Sequence, residues 1–297
     1  VSQLLRTDPS HGSEFCVRET TKMSVINTNI SAMKAANATS QATKAMGTAM
    51  ERLSTGKRIN SAKDDAAGLA IASSMTSQVR GMAQGIRNAN DGISMAQTAE
   101  GALNEVTNML QRQRELVVQA SNNTYSADDL ANLKSEMDAL NTQIGNITSN
   151  TQFNGQNLFD ATAGTAGTVT IQAGANETDT VDIDLSTDLT TDADLVAAAA
   201  VDVTALVAGD IAKFDDAIKV VSTVRAGLGA SQNQLESAVT NLNNNITNLS
   251  DARSRIEDTD YSTETTALAK AQILSQASGA MLAQANQSQQ NVLSLLR

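Results

Sequence analysis

Three features of the sequence predict a mainly α-helical protein whose long helices pack as a rod-like bundle. Aromatic residues make up 2% of the 297 residues and Trp is absent, so packing depends on aliphatic residues that suit helices. The one proline is Pro9, so nothing after it forces a helix to break. Apolar residues also recur every seven positions over long stretches, which indicates helices with a continuous apolar face.

Residues 1–22 are expected to be a leader encoded by a cloning vector. The run GSEF at residues 12–15 is what two adjacent restriction sites encode. The leader contains the one cysteine, Cys16, and the one histidine, His11. From Met23 onward the chain therefore lacks the side chains for a disulfide, a Cys/His zinc site or histidine acid–base chemistry.

The charge and the motif content exclude several classes of function. A formal net charge of −11 argues against general binding to nucleic acid or to anionic membranes. No apolar window approaches the roughly 20 residues of a membrane span. The body of the chain offers no nucleophile paired with a base and no metal cage, so we expect no enzyme activity and no cofactor.

The adjacent carboxylates Asp64 and Asp65 are the strongest candidates for an acid–base or metal site. Ser61 stands three residues before Asp64, an S-x-x-D arrangement that caps helices, and an apolar pattern starts at Leu69. Adjacent helical residues point about 100° apart, so the two carboxylates do not converge on one ion. We interpret the pair as the first turn of a helix, where the helix dipole favours acidic side chains.

The C-terminal half carries the longest regular apolar column. A column with a period of seven over six heptads predicts a long helix with a narrow apolar seam that needs a partner helix. The residues of this column, which we predict to be the rod core, are Phe214, Val221, Leu228, Leu235, Leu242, Leu249 and Ile256.

Two apolar patterns upstream supply the partner helices. One has a period of seven from Met82 to Val117, and the other steps by three and four residues from Leu130 to Ile147. The polar stretch 121–127 between them indicates an antiparallel connection. Together with the C-terminal column, these patterns predict a three-helix rod.

The middle of the chain changes to strand-like patterning. Asn154-Gly155 lies between two short apolar pieces, a strong signal for a β-hairpin. A second hairpin is predicted over 169–185, where apolar and polar residues alternate. The acidic stretch 186–209 has no firm period, and we expect a surface-exposed turn or short helix at the end of the rod.

Both ends of the chain carry thin apolar seams, which we predict to be assembly surfaces. The seam residues are Ile26, Ile30 and Met33 at the N-terminal end and Leu268, Leu282, Val292 and Leu296 at the C-terminal end. Apolar burial contributes about 25 cal/mol per Å², whereas ordering costs about 1 to 2 kcal/mol per residue. The two ends are therefore expected to be disordered alone and to fold when partners supply the missing surface.

Many segments resemble bacterial flagellin, in the family's order. They include MSVINTNISAMKA from Met23, ERLSTGKRINSAKDDAAGLAIA, RNANDGISMAQTAEGALNEV, LQRQRELVVQASN, NTQFNGQNLF, IQAGAN, NLSDARSRIEDTDYSTETTALAKAQIL and the terminal QANQSQQNVLSLLR. The resemblance covers nearly everything from Met23 to Arg297 except 186–209.

The resemblance implies a domain organisation that composition alone does not provide. The chain ends, 23–62 and 265–297, are expected to pair as a terminal coiled-coil domain. Residues 63–185 and 210–264 are expected to form the helical rod domain with its β-hairpins. The variable outer domain is reduced to 186–209 and is nearly absent.

The resemblance also implies a function and partners. The chain is expected to polymerise with copies of itself into the flagellar filament for motility, at the cell surface. Its expected partners are the flagellar export apparatus, an export chaperone that holds the C-terminal helices, and the filament cap and junction proteins. Export is expected to use no cleaved signal peptide.

In many flagellins an innate immune receptor contacts a segment similar to Leu110–Gln119. Arg112 and Leu116 are the candidate contacts here, although position 113 is Gln113. The main alternative to a filament subunit is a flagellin-like surface protein that binds a polysaccharide or a host ligand. A junction protein related to flagellin is a third possibility, and an enzyme is the least supported one.

Overall fold

The computed structural model describes residues 28–122 and 124–294, and for residues 289 and 291–294 it describes the backbone alone. The chain forms two compact units. The terminal unit comprises the chain up to Lys57 and from Thr259 onward, and the central unit is Arg58–Asp258. These divisions fall a few residues before the boundaries at 62/63 and 264/265 that the resemblance implies.

The elements confirm the mainly α-helical fold class. In chain order the described residues form α1 (Ile30–Thr55), α2 (Ala66–Ala120), α3 (Ala127–Asn150), β1 (Gln152–Phe153), β2 (Gln156–Asn157), β3 (Thr168–Gln172), β4 (Thr180–Asp184), α4 (Ala193–Ala199), α5 (Asp210–Glu257) and α6 (Tyr261–Ser294). Helices α1 and α6 belong to the terminal unit, and all the other elements belong to the central unit.

Asp64 and Asp65 mark the start of α2, as predicted, but both precede its first turn, and Ser61 is not the cap. Asp65 is the N-cap, and its Oδ1 accepts a hydrogen bond from the backbone N–H of Gly68 at 2.9 Å. Asp64 instead closes the preceding turn, because its Oδ2 accepts from the backbone N–H groups of Asn60 at 3.1 Å and Ser61 at 3.0 Å. Asp65 therefore caps the helix, and Asp64 stabilises the backbone turn that precedes it.

The predicted rod core lies at the centre of the central unit for most of its length. Phe214, Val221, Leu228 and Leu235 are fully buried, and Leu242 is 8% exposed. The last two members of the column, Leu249 and Ile256, are half-buried, and the continuous core cluster contains the column only as far as Leu235.

Helix α3 follows α2 through a short polar connection, as predicted. Ser126 caps α3 in a capping box, since its side chain accepts from the Asp129 N–H while the Asp129 side chain accepts from the Ser126 N–H. Met137 and Ile144 of α3 are buried in the same core cluster as Leu110 and Leu116 of α2. The pattern stepping by three and four residues thus marks the buried face of α3.

Both predicted hairpins are present as antiparallel pairs. β1 pairs with β2 across Asn154 and Gly155, whose φ angles are 51° and 79°, so the turn occupies the left-handed region that Asn and Gly tolerate. β3 pairs with β4 in a five-residue register that buries Val181 and Ile183. The alternation of apolar and polar residues therefore predicts correctly which face of β4 in the longer hairpin is buried.

Residues 186–209 contain the short helix expected from the sequence, but part of this stretch is buried rather than surface-exposed. Helix α4 lies within them and packs against α5. Five apolar side chains of this stretch are buried in the main core: Leu189, Leu195, Ala198, Val201 and Val203. These five residues are irregularly spaced, so no periodic pattern in the sequence marks them. Their side chains nevertheless form part of the core.

Candidate assembly surface

Helices α1 and α6 of the terminal unit run antiparallel. The Asn29 side chain donates to the Ala285 carbonyl at 3.0 Å. At the other end of the pair, the backbone N–H of Thr259 donates to the Gly56 carbonyl at 3.0 Å. Gly56 ends α1 in a left-handed conformation at φ 71°, which a residue with a Cβ adopts less readily.

The face along which α1 and α6 pack, which we call the inner face, buries only small apolar side chains completely among the described residues. Ala42 and Ala49 of α1 and Ala271 of α6 are the buried apolar side chains in the described part of the terminal unit. Leu268 and Leu282 are half-buried on the same side of α6 as Ala271. The pair therefore removes little apolar surface from water, so packing within one copy stabilises it weakly.

A charged pair crosses the inner face near the start of α6. Glu264, which is 8% exposed, lies 3.8 Å from the Arg52 guanidinium. Glu264 is also in the first turn of α6, where the helix dipole favours a carboxylate. The Tyr261 hydroxyl donates to the Leu53 carbonyl at 3.3 Å in the same region. These polar contacts define the register of a pair that has few apolar ones.

The remaining surface of the terminal unit carries large apolar side chains that are exposed to solvent. We call these residues the exposed apolar set: Ile30, Met33, Met50, Tyr261, Ile273, Leu274 and Met281. A single exposed apolar residue is ordinary, but several on one helix pair are typical of an interaction surface. The terminal unit therefore exposes larger apolar side chains than it buries.

The predicted seam residues fall into three groups in the structure. Ile30 and Met33 lie outside the inner face and belong to the exposed apolar set. Leu268 and Leu282 lie on the inner face. The predicted residues Ile26 and Leu296, and the side chain of Val292, lie outside the described part of the chain.

Sequence reasoning missed the inner face of α1 and part of the exposed apolar set. Ala35, Ala42 and Ala49 recur every seven residues, a signal that was available but is weak, because alanine is frequent throughout this chain. Met50, Ile273 and Leu274 have no periodic signal that separates them from core residues. Only the location of the partner helix shows which side of each helix stays uncovered.

The two candidate receptor contacts in the central unit differ in accessibility. Leu116 is fully buried in the core, so its side chain presents nothing to a partner of the folded chain. Arg112 is exposed and pairs with Glu136 at 2.9 Å and with Glu115 at 3.1 Å. The hydrogen bond from Arg112 to Glu136, with a second to Glu115, raises the pKa of the Arg112 guanidinium.

Over residues 28–122 and 124–294, His, Cys, Asp and Glu side chains do not gather into a group of three that could hold a metal ion. Within the same ranges, no helix has a stretch both long and apolar enough to span a membrane.

The chain matches two family models that together cover most of its length. The model of the bacterial flagellin N-terminal helical region matches residues 26–164, and that of the C-terminal helical region matches residues 211–296. The unmatched residues between them include α4, which lies in the stretch 186–209 that the resemblance leaves out.

Full-length relatives agree with the family models. The chain is 47% identical to a flagellin of Halalkalibacterium halodurans over 92% of this chain and 100% of that one. It is 43% identical to a flagellin of Bacillus subtilis over 92% of this chain and 99% of that one. The crystal structure of Bacillus cereus flagellin is 28% identical and aligns with a TM-score of 0.42 over 52% of this chain and 88% of that one.

The long paired helices and the exposed apolar set are features of a helical structural protein. With the two family matches and the full-length relatives, the chain belongs to the bacterial flagellin family. It is a structural subunit of the extracellular flagellar filament, which serves motility, and it assembles with copies of itself. The comparisons do not favour the alternative of a surface protein that binds a polysaccharide or a host ligand.

Proposed function

We propose that the terminal unit joins copies of this flagellin in the filament by burying its exposed apolar set against neighbouring copies. The observation that carries the proposal is the contrast within this unit. Its inner face buries only small alanines among the described apolar residues, while Ile273, Met281 and other large side chains stay exposed. Burying one such side chain completely contributes roughly 1.5 to 3 kcal/mol.

The same contrast supports folding of the terminal unit on assembly. A helix pair with a thin inner face is only marginally stable alone, because ordering costs about 1 to 2 kcal/mol per residue. Contacts between copies supply apolar burial that one copy lacks. The predicted seam residues Ile26, Val292 and Leu296 stay part of the proposal as predictions from the sequence.

Export and further partners follow from family membership as parts of the proposal. The chain passes unfolded through the flagellar export apparatus, with a chaperone holding the α6 region and without a cleaved signal peptide. Its composition suits that route, because from Met23 onward it has no cysteine to form a disulfide. The filament cap and junction proteins meet the same terminal surfaces as neighbouring copies do.

An innate immune receptor that contacts the folded 110–119 segment meets Arg112 and not Leu116, since Leu116 is fully buried. Arg112→Ala is expected to weaken receptor binding without changing the fold. Equal receptor binding by the natural chain and by the Arg112→Ala variant would remove Arg112 from the contact.

A truncation tests the assembly proposal. Deleting residues 284–297 removes the end of α6, including the Ala285 carbonyl that Asn29 contacts, but leaves the central unit intact. Calorimetry is expected to show a nearly unchanged thermal transition of the central unit, while sedimentation shows no seeded polymerisation. Filaments of normal length from the truncated chain would contradict the proposal.

A pair of substitutions makes the test specific to apolar burial. Ile273→Asp places a charge in the exposed apolar set, whereas Gln272→Asp places the same charge on the neighbouring exposed residue of α6. We expect Ile273→Asp to block seeded polymerisation and Gln272→Asp to reduce it less. Normal polymerisation of Ile273→Asp would contradict the proposal that assembly buries the exposed apolar set.

A further inference from the structure

The methionines of this chain are distributed unevenly between the two units. Three methionines in the described residues are exposed, and all three belong to the terminal unit: Met33 is 58% exposed, Met50 55% and Met281 64%. The five methionines of the central unit are all buried or half-buried: Met75, Met82, Met95, Met109 and Met137. Three of the seven members of the exposed apolar set are thus thioethers.

A thioether in this position combines two properties. Its flexible, polarisable side chain adapts to an irregular contact surface, which suits burial between copies. Its sulfur is also open to oxidation while the copy is free. Conversion to the sulfoxide replaces an apolar group by a polar one, and this disrupts methionine-rich interfaces.

We propose that Met33, Met50 and Met281 are oxidation sites whose sulfoxides exclude a flagellin copy from the filament. The oxidant is a peroxide. One oxygen atom moves from the peroxide to the thioether sulfur as the O–O bond breaks and an S–O bond forms. The sulfur loses two electrons, and hydrogen peroxide is reduced to water. This inference rests on the proposed function, because the sulfoxide matters only where assembly buries the side chain.

Oxidation is expected to affect incorporation into the filament differently for the exposed methionines of the terminal unit and for the methionines of the central unit. Met75 and Met109 are half-buried in the central unit, so peroxide reaches them less readily, and they are not members of the exposed apolar set. Burying an unpaired polar group costs enough to reduce incorporation about tenfold or more. Oxidation at Met33, Met50 or Met281 therefore selects against incorporation, and oxidation at Met75 or Met109 does not.

A competition experiment on the full chain tests the assignment. The monomer is treated briefly with hydrogen peroxide, polymerised on untreated seeds, and separated by sedimentation into polymer and remaining monomer. Peptide mass spectrometry then measures the sulfoxide fraction at each methionine in both samples. We expect the sulfoxides at Met33, Met50 and Met281 to be enriched about tenfold in the remaining monomer, and those at Met75 and Met109 to be distributed equally. Equal distribution at all five positions overturns the proposal.

Reduction provides a second measurement on the same material. Methionine sulfoxide reductase restores the thioether, so treatment of the excluded monomer is expected to return it to polymerisation. Continued exclusion after the three sulfoxides are removed also overturns the proposal, because another lesion, such as oxidation of Cys16, is then responsible.

Leucine variants separate this inference from the assembly proposal. A chain carrying M33L, M50L and M281L keeps apolar side chains of similar volume and is expected to polymerise after peroxide treatment. The matched variant M75L/M109L is expected to stay sensitive to peroxide.

If Ile273→Asp polymerises normally, the assembly proposal itself fails. If Ile273→Asp is blocked while the three sulfoxides enter the polymer freely, only the oxidation proposal fails.

Discussion

The Gln113 side chain of α2 donates a hydrogen bond from Nε2 to Asn141 Oδ1 of α3 at 2.6 Å. Gln113 is fully buried, and its Oε1 accepts no hydrogen bond from the described residues. Asn141 in turn donates from Nδ2 to the Ala199 carbonyl at the end of α4 at 3.1 Å. Two amide side chains thus connect α2, α3 and α4, from the buried Gln113 to the Ala199 carbonyl at the surface.

This amide pair predicts a coupled effect on stability. Asn141→Leu leaves the buried Gln113 amide without its partner, so we expect a loss of roughly 1 to 3 kcal/mol in the free energy of unfolding. The double variant Q113L/N141L removes both groups and is expected to lose less than the sum of the two single changes. Urea unfolding of the unchanged chain, the two single variants Q113L and N141L, and the double variant measures the coupling. Strictly additive losses of stability would show that the hydrogen bond contributes little.

The thin inner face of the terminal unit predicts a difference in amide hydrogen exchange. Its buried apolar side chains in the described residues are three alanines, whereas α5 buries Phe214, Val221, Leu228 and Leu235 completely. In a verified monomer, amides of α1 and α6 are expected to exchange quickly and those of α5 slowly. Strong protection of both terminal helices in the monomer would contradict folding on assembly.

The gradient of burial along α5 predicts a gradient of stability losses. Leu235 is fully buried, so Leu235→Ala is expected to cost about 2 to 5 kcal/mol. Leu242, at 8% exposure, is expected near the lower end of that range. Leu249 is half-buried and serves as the matched control with the smallest loss. Equal losses at the three positions, measured by chemical denaturation, would contradict this packing.

Gly85 of α2 predicts the effect of one added methyl group. A Cβ at Gly85 would lie 2.5 Å from the backbone carbonyl oxygen of Ala173, which follows β3. Gly85→Ala is therefore expected to displace the hairpin and to lower the free energy of unfolding by about 1 to 3 kcal/mol. Gly101 lies in the same helix with nothing within 4 Å of the added atom. Gly101→Ala is therefore expected to stabilise by up to about 1 kcal/mol. Thermal unfolding of both variants distinguishes them, and matching shifts would refute the close approach.

Asp202 predicts a specific pH dependence in the segment 186–209. A hydrogen bond from the Thr204 hydroxyl, together with the Thr204 backbone N–H and Lys134, lowers the pKa of Asp202 to about 2. Because the folded pKa lies below the ordinary value of about 3.9, the stabilising contribution is present above about pH 4 and is lost as pH falls toward 2. NMR titration of the Asp202 carboxyl is expected to show this low pKa.

Two variants identify the cause of that shift. Thr204→Val removes the strongest contribution and is expected to raise the pKa of Asp202 toward its ordinary value. Lys134→Met removes a smaller contribution, and a smaller rise is expected. A larger rise in the Lys134→Met variant would assign the shift to the ion pair instead.

The sequence by itself determined the long helices and the hairpins of this flagellin. The seven-residue column from Phe214 to Leu242 is buried, and the Asn154-Gly155 turn joins β1 and β2 as predicted. These features depend on local periodicity and on backbone preferences of single residues, which a linear sequence records directly.

Only the tertiary structure decided which surfaces meet. It showed that five side chains of 186–209 are buried in the core, that Asp65 rather than Ser61 caps α2, and that Leu116 is inaccessible while Arg112 is exposed. It also placed the small alanines of α1 on the inner face and left Ile30 and Met33 uncovered. A helix with weak amphipathicity can turn either side toward a partner, so its buried side depends on residues distant in sequence, which no local pattern contains.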